Sequence, residues 1–396
     1  KAHYWENGSI PWLNSGTVNQ VIISEPSAFI TTEAFNSSSA RWIPSGSLVM
    51  ALAGQGKTKG MVAQLALRAT CNQSMAAIIP SGNVKPRYLF WWLSSNYQSI
   101  RNMAGGDLRE GLNLELIGDI PLLMPSEEEQ TQIASFLDHE IACIDMLIEE
   151  QQRLIELLKE KRQAVISLSV TKGLEPTVSM KNSGVVWLGD VPAHWVIRKL
   201  KNLVSVRGGS TPSKEVERYW EGDIPWVSPK DMKSERISGS IDHVSGSAIE
   251  EGGLKIVKSG AILIVVRGMI LIHSVPVAIT DVDVTINQDI KAMTPGPQLS
   301  GDYLSLLLQG VRDAVFQYID SSAHGTRKLE WERFELIDLP IPSHSEQIRI
   351  VGFIETQKRA IDDLVVQAAS TITLMKERRS ALISAAVTGK IDVRGW

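Results

Sequence analysis

The segment Pro125–Thr171 returns 217 residues later as Pro342–Thr388, with 19 identities in 47 ungapped positions. A repeat of this quality constrains the fold more than any composition does, because both copies must build the same unit. Among the matches are Glu129-Gln130 with Glu346-Gln347, Ile133 with Ile350, Phe136 with Phe353, Ile144-Asp145 with Ile361-Asp362, and Lys159-Glu160 with Lys376-Glu377. Upstream the duplication continues more weakly, at a shift of 214 to 215. There Tyr4-Trp5-Glu6 and Ile10-Pro11-Trp12 match Tyr219-Trp220-Glu221 and Ile224-Pro225-Trp226, Asn72-Gln73 matches Asn287-Gln288, and Tyr88 matches Tyr303. The 396-residue chain is two copies of one unit, each with a divergent globular part and a well-matched helical part.

The matched parts read as long helices. Stepping by four and three from Leu137 gives Leu137, Ile141, Ile144, Ile148, Gln151, Ile155, Leu158, Arg162, Val165 and Ser169, apolar in seven of ten positions. The second copy's seam runs through Ile354, Lys358, Ile361, Val365, Ala368, Ile372, Met375, Arg379, Leu382 and Ala386, apolar in eight of ten. Such seams are coiled-coil packing stripes. Pro125-Ser126 and Pro342-Ser343 lead into acidic first turns, and Lys172-Gly173 and Gly389-Lys390 stop the helices. Each is expected to run to about 70 Å at 1.5 Å per residue. Paired antiparallel, they are expected to form a strut that holds two globular domains apart.

The globular parts read as α/β with short strands. Ser47–Leu52 and Ala261–Val266 are apolar runs that end at the aligned glycines Gly54 and Gly268, as buried strands would. Tyr88–Ser95 and Tyr303–Gln309 read as helices. Ala51-Leu52-Ala53-Gly54-Gln55-Gly56-Lys57-Thr58 fits a loosened phosphate-loop pattern, with Ala in place of the first Gly. A nucleotide-binding reading is open on that pattern. Against it, the second copy carries Gly268-Met269-Ile270-Leu271 at the same place and no amphipathic helix is evident downstream. The segment through Gly60 reads instead as a basic loop, either simply solvated or suited to a polyanion's backbone, with Gln55 available to a base edge.

With 43% hydrophobic and 21% charged residues, the composition is that of a globular chain. Cys71 and Cys143 are too few for a disulfide framework or a cysteine zinc site, and they point to a reducing, cytoplasmic setting. No apolar run approaches the roughly 20 residues of a membrane span. The opening Lys1-Ala2-His3-Tyr4-Trp5-Glu6 has neither a starting Met nor the apolar stretch of a secretory signal. The seven histidines are scattered without metal-ligand spacing, and no catalytic motif is present, so the chain reads as a non-enzyme. The net charge of −4 argues mildly against a nucleic-acid binder. However, residues 126–172 hold ten acidic and five basic side chains, a net of −5, which leaves the remainder at +1.

The repeat, the Glu-Gln pair after each Pro-Ser, the Asn-Gln pairs, Gly208-Gly209-Ser210-Thr211-Pro212-Ser213-Lys214, Ile224-Pro225-Trp226-Val227-Ser228-Pro229-Lys230-Asp231 and the linker Ser183–Trp195 together resemble the DNA specificity subunits of type I restriction-modification systems. The resemblance covers nearly the whole chain. It implies an α+β fold: two α/β target recognition domains separated by a long antiparallel two-helix coiled coil, with internal pseudo-two-fold symmetry. The expected parts are recognition domain 1 (1–124), long helix 1 (125–173), a linker with recognition domain 2 (174–341), and long helix 2 with a tail (342–396). It further implies that each domain reads half of a split site in double-stranded DNA. The helices would dock two methyltransferase (modification) subunits, joined by restriction subunits in a full complex. No cofactor is expected in this chain, with S-adenosylmethionine, ATP and Mg on the partners.

Candidate DNA contacts in the first reader are Gln55, Lys57, Thr58, Lys59, Arg101 and Arg109; in the second they are Ser210, Thr211, Lys214, Lys230, Arg267, Arg327 and Lys328. Arg267 and Arg327 stand out, because arginine binds guanine bidentately. Candidate partner contacts are Glu129, Gln130, Ile133 and Phe136, with their counterparts Glu346, Gln347, Ile350 and Phe353. Other readings are a related type IIB or stand-alone methylation system, a structural coiled-coil scaffold with inert globular parts, and the nucleotide binder. The sequence departs from the pattern at one place: residues 187–218 precede the second Tyr-Trp-Glu match, and the first copy lacks that opening segment.

Overall fold

The computed structural model describes residues 2–54, 56–103, 111–321 and 327–396. The chain divides into two compact units, one of Lys1–Arg153 with Ala368–Trp396, the other of Leu154–Gln367. Both cuts fall inside long helices, Glu127–Lys172 and His344–Val387. Each unit therefore takes part of both long helices. A 46-residue helix has too much apolar seam to be buried by one globular part, and each half packs with a different one.

In the first unit the strands are β1 (Ile10–Leu13), β2 (Ile22–Ile23), β3 (Ala28–Ile30), β4 (Leu48–Ala51), β5 (Val62–Leu65), β6 (Thr70–Cys71) and β7 (Met75–Ile78). They form two sheets, ordered β3-β1-β6 and β2-β5-β4-β7. All of β4 is buried, and its side chains alternate between two cores as a pleated strand requires. Leu48 and Met50 face the helix Pro86–Ser95 and the long-helix segments through Leu137, Ile141, Ile383 and Val387. Val49 and Ala51 face Leu13, Ile23, Ile43 and Leu65. Proline at the first position of Pro86–Ser95 costs no hydrogen bond there, and the helix buries Tyr88 through Leu93.

The second unit repeats this frame. It opens with the hairpin β8 (Met180–Asn182) and β9 (Asp190–Pro192), then β10 (Val196–Lys199) and β11 (Val204–Gly208). Next come β12 (Ile224–Val227), β13 (Arg236–Ile237), β14 (Asp242–Val244), β15 (Ile262–Val265), β16 (Val277–Thr280), β17 (Thr285–Ile286) and β18 (Ile290–Pro295). The hairpin β19 (Ile319–Ser321) and β20 (Arg327–Leu329) and the strand β21 (Asp338–Ile341) complete it. The order β14-β12-β17 reproduces β3-β1-β6, and β13-β16-β15-β18 reproduces β2-β5-β4-β7. Ile262 and Ile264 of β15 face the helices, while Leu263 and Val265 face the opposite core. The helix matching Pro86–Ser95 is Gly301–Gly310. The second sheet carries a fifth strand, β11 against β18, and β10 pairs with β21. Among the described residues β7 has no such neighbour. β10, β11 and the loop after them lie within residues 187–218, ahead of the second Tyr-Trp-Glu match.

Two side-chain locks recur in both units. Gln130 is fully buried: its Oε1 accepts from Lys85 N (2.8 Å), and its Nε2 donates to Asn83 O (3.1 Å) and Pro125 O (3.0 Å). Gln347 makes the same three bonds, with Ser300 N (2.8 Å), Gln298 O (3.0 Å) and Pro342 O (3.1 Å). Each amide fastens the loop before a globular-part helix to the start of a long helix. Beside it, Tyr88 donates to Leu123 O (2.9 Å) and Tyr303 to Pro340 O (3.2 Å). Burial pushes the Tyr88 hydroxyl up to about 12, so it remains a neutral donor.

Among the described residues, a three-membered charged cluster holds the second unit as well. Glu235 accepts from Arg162 (2.6 Å) on one long helix and from Lys358 on the other. Burial alone pushes the Glu235 carboxyl up, but hydrogen bonds from Lys358 and Arg162 outweigh it and hold the group below its ordinary value. In the first unit the equivalent arginine, Arg379, pairs with Asp145 (2.9 Å).

Two outcomes follow. Gln347→Ala orphans a buried N–H and two carbonyls, and is expected to cost about 2 kcal/mol in urea unfolding, with Gln130→Ala matching it in the first unit. Glu235→Gln removes one of the two carboxylates that meet Lys358, 8% exposed, and leaves it Glu355 alone (3.0 Å). Because Glu235 keeps a third of its exposure, the cost at pH 7 is expected near 2 kcal/mol, below that of a fully buried pair. A depressed carboxylate stabilises above its unfolded value of about 4.3 and loses that contribution as pH falls through the lower folded value. Unfolding curves of wild type and Glu235→Gln should therefore converge below about pH 4.

Candidate nucleic-acid interface

In the second unit the candidate cations converge at one end of the five-stranded sheet. Gly209 lies so close to β17 that a Cβ would sit 2.1 Å from Ile286 O, so only glycine allows the approach. Ser210 N–H then donates to Ile286 O (3.0 Å), and Thr211 Oγ1 bonds Gln288 Oε1 (2.5 Å). The loop is further strapped down by Trp226 Nε1 to Ser210 O (3.1 Å) and Trp220 Nε1 to Ser213 O (3.2 Å). These indoles stack edge to face at 5.1 Å, as Trp5 and Trp12 do at 5.9 Å in the first unit. The result is a 710 Å³ cleft with Lys214, Trp220, Trp226, Lys230, Asp242 and Asn287 in its walls.

Arg267 belongs to the same end. Val266 N–H donates to Asp289 O (2.8 Å), which sets Arg267 beside the Asn287–Asp289 turn that holds Thr211 through Gln288. The strand β20 then lies along Arg267: Gly268 N–H donates to Arg327 O (3.1 Å), and Arg267 and Lys328 form an antiparallel bridge. Arg267 and Lys328 are exposed and Arg327 is half-buried. Gly325 and Thr326 lie outside the described residues. Lys214 is exposed, and Lys230 pairs with Asp242 at 2.7 Å. That hydrogen bond raises the Lys230 ammonium above its usual value and keeps it charged, so an incoming phosphate would compete with Asp242.

The first unit gathers fewer of its candidates. Tyr97 hydroxyl donates to Lys57 O (2.6 Å) and accepts from Arg101 Nη1 (3.1 Å), so Arg101 and the 56–60 loop are brought together. Lys57 is exposed and Thr58 half-buried, but Lys59 is only 6% exposed, which takes its ammonium off the surface offered by Lys57. Gln55 and Arg109 lie outside the described residues. The nucleotide-binding pattern fails here on geometry. Gly60 N–H returns to Ala51 O (2.8 Å) and the chain enters β5, so no helix N-terminus follows to hold a phosphate.

Several positions of the cleft were not evident from residue type. Trp220, Trp226 and Asp242 shape the cleft, and only the recurrence of Tyr-Trp-Glu and Ile-Pro-Trp marked the first two. Asn287 is spent on a turn, accepting from Asp289 N (3.0 Å), just as Asn72 accepts from Ser74 N (3.1 Å). The candidate partner residues divide. Gln130, Gln347, Ile133 and Ile350 are buried within their own units, and Glu346 accepts from Trp195 Nε1 (3.1 Å) and His194 (2.9 Å). Phe136 packs on Trp396, while Phe353 is 41% exposed and Glu129 remains at the surface, bonded to Ser126. Among the described residues no group of three His, Cys, Asp or Glu is placed to hold a metal, and no helix is long and apolar enough to cross a membrane.

Comparison with known proteins places these features in context. Residues 1–158 and 192–371 match the family model described as the type I restriction modification DNA specificity domain. A type I restriction enzyme specificity subunit (MjaIX) of Methanocaldococcus jannaschii is 31% identical over 183 residues, 45% of this chain and 40% of that protein. The EcoR124I/EcoR124II specificity subunit of Escherichia coli is 26% identical over 277 residues, 68% of this chain and 62% of that one. The alignments thus span less than two thirds of either relative. A solved structure concerning assembly and conformational transition of a type I system superposes with a TM-score of 0.75 at 15% identity, covering 96% of this chain and 91% of its own. The HsdS subunit of Thermoanaerobacter tengcongensis superposes with a TM-score of 0.62 at 16% identity over the same shares. At such identities the likeness is one of fold.

Proposed function

The chain belongs to the type I restriction-modification DNA specificity family, and from that premise we propose that it is the non-catalytic subunit that reads a split double-stranded DNA target, one half with each unit. The observation that carries this reading is the pairing of one backbone frame with two unlike loop sets. Both units share strand order, Gln lock and Tyr lock, yet the end of β4 leads to the Lys57 loop while the end of β15 leads to Arg267 and β20. A common frame with different readers suits two different half-sites. In the second unit Lys214 and Lys328 would bind phosphates and Arg267 a guanine edge, since phosphate contacts position a protein and base contacts specify the sequence.

The partners we propose are two copies of a modification subunit, with restriction subunits completing the complex in the cytoplasm. S-adenosylmethionine, ATP and Mg would be bound by those partners. Support comes from exposed leucines at equivalent helix positions: Leu147 and Leu374 in the first unit match Leu364 and Leu157 in the second, all between 48% and 62% exposed. Exposed leucines that recur at equivalent positions of two copies suit a surface offered twice. Each unit would offer them to an identical partner. A type IIB or stand-alone methylation complex would use the same face with a different set of subunits.

The test is a gel shift of the chain with its modification subunits, across a salt series. Sequence-specific, salt-sensitive binding is expected, and sequence-blind binding would overturn the reading. Arg267→Ala should weaken specific binding by about 1–3 kcal/mol and relax one base position, whereas Lys214→Ala should lower the salt slope by about 1 for all sequences. In native mass spectrometry Leu364→Glu should remove one modification subunit and leave the other.

A further inference from the structure

Because the two units share a frame, an unequal filling of equivalent positions exposes a feature peculiar to one of them. Glu235 stands just before β13, and its carbonyl accepts from Ile279 N (2.9 Å); Val21 stands just before β2, and its carbonyl accepts from Gln64 N (3.1 Å). The positions are equivalent, but only the first supplies a carboxylate. Arg162 and Arg379 are likewise equivalent, while Lys358 is replaced by Ile141.

Two further exchanges enlarge the difference. In the second unit Gln163 Nε2 reaches Gln309 O (3.0 Å), and its counterpart Ser380 turns back to Lys376 O (3.1 Å). Gly310 lets its helix approach the long helix so closely that a Cβ would meet Val170 Cγ2 at 2.6 Å, and its counterpart is Ser95. Glu235, Gln163 and the close approach at Gly310 hold the equivalent positions in the second unit. Val21, Ser380 and Ser95 leave the first unit with a cavity of about 510 Å³. That is within the range of small-molecule sites.

The cavity's chemistry is divided. Phe90, Trp91, Met61, Val62 and Ile383 supply an apolar floor. Lys57 and Arg379 supply positive charge at its edge, with the Tyr97 and Ser94 hydroxyls beside them. Asp145 takes Nε (2.9 Å) and Nη2 (3.5 Å) of Arg379. Nη1 has no protein partner among the described residues, and the side chain is 33% exposed. We propose that this cavity is a binding site for a small aromatic carboxylate, whose anion meets Arg379 as Glu235 meets Arg162 and whose ring lies on Trp91 and Phe90. A ligand there would tie the Lys57 loop to the helix carrying Arg379, as Glu235 ties its own loop to two helices. The proposal does not depend on which DNA is read.

The experiment uses the full chain and 2-naphthoate as probe, followed by isothermal titration calorimetry and by the thermal midpoint. Saturable one-to-one binding that raises the midpoint is expected, with 2-naphthamide at least about tenfold weaker, a difference of about 1.4 kcal/mol. Val21→Glu, at a position 47% exposed, supplies an internal carboxylate, and combined with Ser380→Gln it refills the cavity; this variant should fold and lose at least about tenfold in naphthoate affinity. Absence of saturable binding, or binding unchanged in the refilled variant, would overturn the site. Equal binding of the neutral amide would overturn its assignment to an anion.

Discussion

Everything in each unit hangs from a single buried side-chain amide at a helix start. Gln130 and Gln347 are polar groups with no exposure, and each is tolerated only because all its principal hydrogen bonds go to backbone atoms. Those atoms belong to two segments about 45 residues apart, so the amide fixes the globular part's helix against the long helix. Once that angle is set, Tyr88 and Tyr303 reach the same carbonyl position, and the apolar faces of Pro86–Ser95 and Gly301–Gly310 meet the long-helix seams. A hydrophobic contact alone would allow sliding. The amide's bonds have one geometry.

The sheets extend that constraint to the reading surface. Strands β4 and β15 are buried on both faces, so neither can shift register by one residue without exchanging two cores. Their C-terminal ends are thereby held at a constant place relative to the helices, and the Lys57 loop and Arg267 leave from those ends. The surface can vary because what lies beneath it cannot. Gly209 shows the same logic in miniature, where a backbone pressed onto Ile286 carries the Thr-Pro loop and Lys214.

The repeat, the long helices and the pair of apolar strands were legible in the sequence because each depends on periodicity. Helices at Glu127–Lys172 and His344–Val387 match the seams within a few residues. Position in space was less legible. Gln130 and Glu346 read as surface residues of a helix start, since nothing in a sequence says that loops 45 or 150 residues away will cover them. Lys59 and Lys57 are indistinguishable by type, yet one side chain is buried and the other exposed. In the sequence Arg162 and Lys358 only interrupt apolar seams and Glu235 lies in no motif, because their attraction is non-local.

That cluster also shows how a duplicated frame accommodates opposite solutions. At the same place one unit carries Val21, 47% exposed, and the buried Ile141, and the other pairs Glu235 with Lys358. Changing Glu235 alone would strip Lys358 of one of its two carboxylates, and changing Lys358 alone would set an apolar group against a carboxylate, so the two positions are tied to one another rather than to the frame. Bonds to the backbone, as made by Gln130 and Gln347, have no such alternative partner and are the same in both units. Within this charged cluster, divergence between the units is thus confined to side chains that answer to other side chains. The cavity beside Arg379 is where that difference leaves space, because both units carry the arginine and only the second sets a carboxylate at the Val21/Glu235 position.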